Sequence, residues 1–74
     1  MKQINLILAY NIQAFRKQKG LSQVELARSI GVTPQAVSKW ESGKSAPDIS
    51  LLPVVASVLD RQIDELFSSD GMDK

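Results

Sequence analysis

Four polar side chains offer the most legible chemistry in this sequence: Gln35, Ser38, Lys39 and Ser42, spaced so that a helix would set them on one side. A glutamine amide presents a donor and an acceptor together, the pattern that matches adenine N6 and N7, and a lysine ammonium can reach guanine O6 or N7. Such groups recognise a partner and do not turn over a substrate. Catalysis would need a convergent set of side chains, and none is visible. The 74 residues include no histidine and no cysteine, which removes the commonest general base, the commonest nitrogen ligand for a metal and every thiolate site. Asp64 and Glu65 are neighbours in what reads as a short helix, so their carboxylates diverge. Neither a glycine-rich phosphate loop nor a metal-ligand spacing occurs. The expectation is a protein that is not an enzyme and uses no cofactor and no metal.

Charge narrows the class of partner. Residues 1–47 carry seven Lys/Arg (Lys2, Arg16, Lys17, Lys19, Arg28, Lys39, Lys44) against Glu25 and Glu41, a net of +5. Residues 48–74 carry Arg61 and Lys74 against six acids, a net of −4. One half therefore suits a polyanion and the other is kept away from it, although ordinary solvated surface charge would give the same totals. The longest apolar run, Leu6-Ile7-Leu8-Ala9, is far short of the roughly 20 residues that span a bilayer. The chain reads as soluble and cytoplasmic, with no membrane partner.

These side chains need a scaffold, and five helical segments separated by turn signals supply one. The first is expected from Asn5, as N-cap, to Gln18, with Leu8, Ile12 and Phe15 on one face and Gly20 beyond its end. The second opens with Ser22 followed three residues later by Glu25, the capping-box pattern, and carries Leu26, Ala27 and Ile30 before Gly31. The third begins at Thr33-Pro34, a hydroxyl cap before a proline in the first turn, and ends at Gly43. Its Val37, Trp40 and Glu41 share the face opposite Gln35, Ser38, Lys39 and Ser42. This phase makes Trp40 a packing residue and not a stacking platform. The fourth is expected to start at Ser50 as N-cap, which puts Pro53 in the first turn, and to bury Leu52, Val55, Ala56 and Leu59. The fifth covers Ile63 to Phe67. The domain is thus residues 1–67, followed by a polar tail, 68–74, that is expected to fray. The fold class is all-α, a compact five-helix bundle.

Gln23 to Ser42 is the most informative stretch. Two short helices meet across Gly31-Val32-Thr33, with a small Ala27 where they must approach and a glycine able to take positive φ at the turn. This is a helix-turn-helix arrangement, and it leaves the outer face of the second helix polar and free of acids. The run Leu21-Ser22-Gln23, Leu26-Ala27, Gly31-Val32-Thr33, Val37 through Gly43, Pro47, Leu51, Ala56, Leu59 and Leu66-Phe67 resembles the lambda-repressor and Cro type of helix-turn-helix proteins, the Xre family. The resemblance covers residues 8–67. It implies major-groove binding of double-stranded DNA by a transcriptional regulator, often a repressor, acting as a homodimer on a palindromic operator.

The resemblance also implies roles. Gln35 and Lys39 fall at base-reading positions, with Ser38 a third candidate. Pro34 stands where some relatives have glutamine and would offer an apolar contact to a thymine methyl. Gln23, Thr33, Gly43, Lys44 and Ser45 fall where relatives meet phosphate through side chains or main-chain amides. Arg16 and Glu41 match a structural ion pair, although Arg16 could instead face phosphate. Leu66 and Phe67 are candidates for a dimer interface or for the core. Asp60 replaces the usual glycine after the fourth helix, and Gln62 the usual hydroxyl cap of the fifth. The competing reading is a protein-interaction module of the same fold, like an antitoxin or a bridging factor. The acid-free polar face of the third helix separates the two, because an interaction module would tolerate acids or large apolar residues there.

Overall fold

The computed structural model describes residues 2–73, and side chains from Leu6 to Gly71. It is all-α: α1 (Lys2–Gln18), α2 (Gln23–Ile30), α3 (Pro34–Glu41), α4 (Leu52–Val58) and α5 (Ile63–Leu66) are joined by short turns, with no strand among the described residues. Local signals explain most of the boundaries. The Ser22 hydroxyl accepts from the Glu25 N–H at 3.0 Å and the Glu25 carboxylate accepts from the Ser22 N–H at 2.8 Å, so two orphan donors at the start of α2 are satisfied reciprocally. At its end Gly31 takes φ +91°, and the N–H groups of Gly31 and Val32 both donate to the Ala27 carbonyl. Thr33 then caps α3, its hydroxyl accepting from the Ala36 N–H at 3.1 Å, and Pro34 occupies the first turn.

One core joins all five helices. Leu8 and Ile12 from α1, Leu26 and Ala27 from α2, Val37 and Trp40 from α3, Val55 and Ala56 from α4, Leu59 just past α4, and Leu66 from α5 form a single buried cluster. Trp40 is 5 % exposed and packs, as its phase with Val37 requires. The apolar body of the second and third helices is therefore fixed from behind by α1 and α4, which is what holds the outer face of α3 outward.

Three boundaries depart from the sequence reading. Asn5 is not an N-cap, because α1 already runs from Lys2; neither glycine nor proline precedes Asn5 to stop a helix propagating back. Ser50 is not the N-cap of α4. Asp48 is the capping residue, its carboxylate accepting from the Ser50 N–H and hydroxyl at 3.3 and 2.6 Å. A single 3-10 turn, Ile49–Leu51, then leads into α4. The tighter turn absorbs the extra residues, so Pro53 still sits in the first turn of α4, where its missing N–H costs nothing. The tail is also tied down. Asp70–Asp73 forms a 3-10 turn, the Ser68 carbonyl accepts from Asn11 Nδ2 at 2.8 Å, and the Gly71 carbonyl accepts from the Tyr10 hydroxyl at 3.1 Å.

The two departures from usual sequence after α4 are accommodated differently. Asp60 takes φ +60°, the left-handed conformation that glycine adopts without strain. Its carboxylate pairs with Lys19 Nζ at 3.0 Å. Gln62 is the N-cap of α5, and its N–H donates to the Glu65 carboxylate at 2.8 Å. Leu66 is fully buried, so it closes the core of the monomer and is withdrawn as an interface residue; Phe67, the next residue, is 40 % exposed.

Candidate nucleic-acid interface

Helix α3 divides along its length. Val37 and Trp40 face the core, while Pro34, Gln35, Ser38 and Lys39 are exposed. Four candidate reading positions thus share one solvent-facing side, in the register that a 3.6-residue period sets. The Ser42 hydroxyl turns back to donate to the Lys39 carbonyl at 3.1 Å and helps to end the helix. Lys39 and Lys44 take part in none of the ion pairs among the described residues, so both ammonium groups are available to an anion.

The base of this face is held by a buried charge cluster. Arg16 Nε donates to Glu41 Oε2 at 2.6 Å and Nη2 to Oε1 at 3.0 Å, a two-pronged contact in which the planar guanidinium matches the carboxylate. Arg16 Nη1 also donates to the Leu21 carbonyl at 2.8 Å. Gln23 Nε2 donates to Glu41 Oε1 at 2.9 Å. The side chains of Arg16 and Glu41 are 10 % and 2 % exposed. One carboxylate near the end of α3 thereby ties together α1, the loop before α2 and the first residue of α2. Arg16 is committed here, which places its guanidinium away from any phosphate role.

Gln23 sits at the start of α2 as the sequence suggested, but its amide is engaged with Glu41, a contact that spans 18 residues and that spacing rules do not reveal. Its second amide hydrogen and its carbonyl oxygen remain for a partner. The Thr33 hydroxyl accepts within the α3 cap and keeps its own hydrogen to donate.

The loop after α3 corrects one expectation. The N–H of Gly43 donates to the Trp40 carbonyl at 3.3 Å, and those of Lys44 and Ser45 donate to the Lys39 carbonyl at 3.0 and 3.3 Å. These amides satisfy the orphan carbonyls at the end of α3, with Gly43 at φ +79°, and so they are turned inward. Gly43 has no other donor and drops out as a phosphate ligand. Lys44 and Ser45 keep only their exposed side chains for that role. Main-chain donors lie instead at helix starts. Among the described residues the N–H groups of Gln23 and Val24, and that of Gln35, have no acceptor, and each lies in a first turn, where the helix dipole favours an anion. The signal for them was present in sequence, as the positions just after the caps Ser22 and Thr33.

Carboxylates near this surface are held in their charged form by local hydrogen bonds. The Ser22 N–H, then its hydroxyl, and the Arg28 charge lower the Glu25 carboxyl below the ordinary glutamate value. The Ser50 hydroxyl and N–H do the same for Asp48. Neither lies on the outer face of α3, which stays free of negative charge.

Comparison with known proteins agrees with this geometry. A family model described as "Helix-turn-helix" matches residues 12–66. The transcriptional activator BcrR of Enterococcus faecalis is 39% identical over 61 residues, which is 82% of this chain and 30% of that protein. The chain spans from 30% to 55% of the length of the first curated relatives it matches. The crystal structure of a hypothetical transcription factor, NHTF from Neisseria, is similar with a TM-score of 0.86 and 31% identity, covering 99% of this chain and 85% of that one. The P22 c2 repressor, solved with a synthetic operator, is similar with a TM-score of 0.80 and 28% identity, covering 85% of this chain and 96% of that one. The same fold also forms part of an enzyme. Hydroxypropylphosphonic acid epoxidase from S. wedmorenis matches with a TM-score of 0.85 and 28% identity, over 92% of this chain but 36% of that one.

Proposed function

This chain belongs to the helix-turn-helix family, whose model covers most of its length, and from that premise we propose that it is a transcriptional regulator that reads double-stranded DNA by laying α3 in the major groove. The observation that carries the reading is the division of α3: Pro34, Gln35, Ser38 and Lys39 stand clear of the fold on an acid-free face, while Val37 and Trp40 lock the helix from behind. Gln35 and Lys39 supply hydrogen bonds to base edges, and Pro34 an apolar contact to a thymine methyl. Gln23, Thr33, Lys44 and Ser45, with the open amides at the starts of α2 and α3, take phosphate oxygens and set the register.

A single α3 reads only a few base pairs, so the reading extends to a two-fold dimer on a palindromic site, with its two recognition helices about 34–36 Å apart in successive major grooves. Ile63 on α5 and Phe67 just past its end, both exposed, offer the apolar seam, and Leu66 between them belongs to the core. Selection of bound sites from a random DNA pool, followed by gel shifts across a salt series, tests the proposal. The expected outcome is an enriched palindrome bound with strong salt dependence. Ultracentrifugation with and without that site tests the dimer. A lack of any enriched sequence would leave the helix-turn-helix as a protein-interaction module, and a monomer binding one half-site at full affinity would remove the dimer.

A further inference from the structure

On the side of α1 away from the helix-turn-helix lies a cleft of about 550 Å³, bounded by one face of α1 from Tyr10 to Gln18, by Arg61 and Glu65, and by the tail from Ser68 to Gly71. No residue of α2, α3 or α4 contributes to it. Its size falls within the range of small-molecule sites, roughly 300–1,000 Å³. We propose that this cleft is an effector site for a small organic cation, an ammonium carried on a flat apolar body.

The chemistry of the lining selects that class. Asn11 is 2 % exposed, and its side-chain NH2 donates to three main-chain carbonyls, those of Glu65, Leu66 and Ser68, at 3.2, 2.8 and 2.8 Å. Both amide hydrogens are thereby spent, and among the described residues nothing donates to its Oδ1. No side-chain oxygen sealed from solvent lacks a partner among the described residues, so this oxygen reaches the surface of the cleft that Asn11 lines. An acceptor on an otherwise buried amide, fixed by three bonds on its other end, is a pre-organised hydrogen-bond position for a ligand donor.

The remaining polar groups point the same way. Asp70 forms no ion pair among the described residues, and the Glu65 carboxyl is kept charged by the Gln62 N–H and by Arg61. Arg61, the one cation in the lining, is already engaged on two sides. Its guanidinium lies 4.1 Å from the centroid of the Phe15 ring and donates to Glu65 and to Gln18. An anionic ligand would face two carboxylates, Glu65 and Asp70, against the single guanidinium that Glu65 already partners. A cation instead gains Asn11 Oδ1 and Asp70, while the half-exposed Tyr10 ring and Ala14 receive its apolar body. The tail forms one wall, joined to α1 by the Tyr10 hydroxyl on the Gly71 carbonyl. A ligand seated between them would therefore fix the tail against the same helix whose other face packs on α3.

Phenethylammonium serves as the probe, with phenylacetate as its charge-reversed counterpart, in a titration of the full chain followed by 15N NMR. Saturable shifts are expected at the Asn11 side-chain amide, Tyr10 and residues 65–71 with the ammonium and not with the carboxylate. Asp70→Asn should weaken the binding by about tenfold, because it keeps an acceptor oxygen but removes the charge that strengthens the bond to the ammonium. Ala14→Leu, which fills the cleft, should abolish the shifts while the spectrum elsewhere and DNA binding stay as in the parent chain. An absence of shifts, equal shifts with phenylacetate, or shifts that survive Ala14→Leu would each overturn the proposal. So would protection of the same residues by self-association in the free protein, which would make the cleft a seam between copies. The titration needs no DNA, so its outcome is independent of the proposed operator binding.

Discussion

Replacing Glu41 with alanine should be among the most damaging single changes available on this chain. The carboxylate accepts three hydrogen bonds, two from Arg16 and one from Gln23, and is 2 % exposed. Its removal leaves the Arg16 guanidinium, only 10 % exposed, with the Leu21 carbonyl as its remaining partner. Breaking a buried pair from one side costs about 3–5 kcal/mol, because the surviving charge stays desolvated. A chain of 74 residues at about 0.05–0.15 kcal/mol per residue has a total stability of about 4–11 kcal/mol. The loss is therefore about a quarter of the total or more. At about 4–8 °C per kcal/mol for a domain of this size, 3 kcal/mol lowers Tm by roughly 12–24 °C. Thermal and urea unfolding followed by far-ultraviolet circular dichroism reads this directly. The paired substitution Arg16→Met with Glu41→Leu should be much milder than Glu41→Ala alone, because no charge is left buried. A Tm for Glu41→Ala within a few degrees of the parent chain, or a double variant as damaged as the single one, would refute the reasoning.

Four further outcomes follow from the geometry. Gln35→Ala should cost about 1–3 kcal/mol on the selected site and relax its preference at one base pair per half-site, with little change on random DNA; a uniform loss on every sequence would make Gln35 a positioning contact only. Lys44→Ala should weaken binding to all sequences and reduce the slope of log affinity against log salt by about one unit, and an unchanged slope would place Lys44 off the phosphates. Asp60→Gly should relieve a left-handed residue at φ +60° and be neutral or stabilising by up to about 1 kcal/mol in urea unfolding, despite loss of the exposed Lys19 contact; a clear destabilisation would show that the contact outweighs the strain. Glu25 and Glu65 both have carboxyls held below the ordinary value of 4.5, chiefly by the N–H groups of Ser22 and Gln62, so their stabilisation is complete above that value and is lost as pH falls through the lowered ones. Tm should stay level from neutral pH to about 5 and then fall, and a chain with Glu25→Gln and Glu65→Gln should show a flatter acid limb.

Much of the outer face of α3 was legible in the residues because its determinants are local. The capping box Ser22–Glu25, the Thr33-Pro34 start and the left-handed Gly31 each act within about one turn of helix, and a 3.6-residue period then decides that Val37 and Trp40 turn inward and Gln35, Ser38 and Lys39 outward. The start of α4 was misplaced for a related reason. Asp48 and Ser50 are both good caps, and only the path of the chain out of Gly43 settles that a 3-10 turn comes between Asp48 and the helix.

Other features have no local signature. Asn11 meets carbonyls 54 to 57 residues away, and this bond set is what draws a polar tail onto α1. Gln23 is bonded to Glu41 across α2 and α3. Leu66 and Phe67 are adjacent and similarly apolar, yet one is sealed in the core and the other is exposed. The amides of Gly43 to Ser45 turn inward because the loop folds back on the carbonyls of α3. The sequence by itself determined the helix-turn-helix pair, the caps Ser22 and Thr33 and the polar face of α3, since backbone and neighbouring side chains within a turn settle these. Tertiary structure decided which polar groups are already spent and which apolar ones are covered, because burial and partner choice depend on residues brought together only when the helices pack.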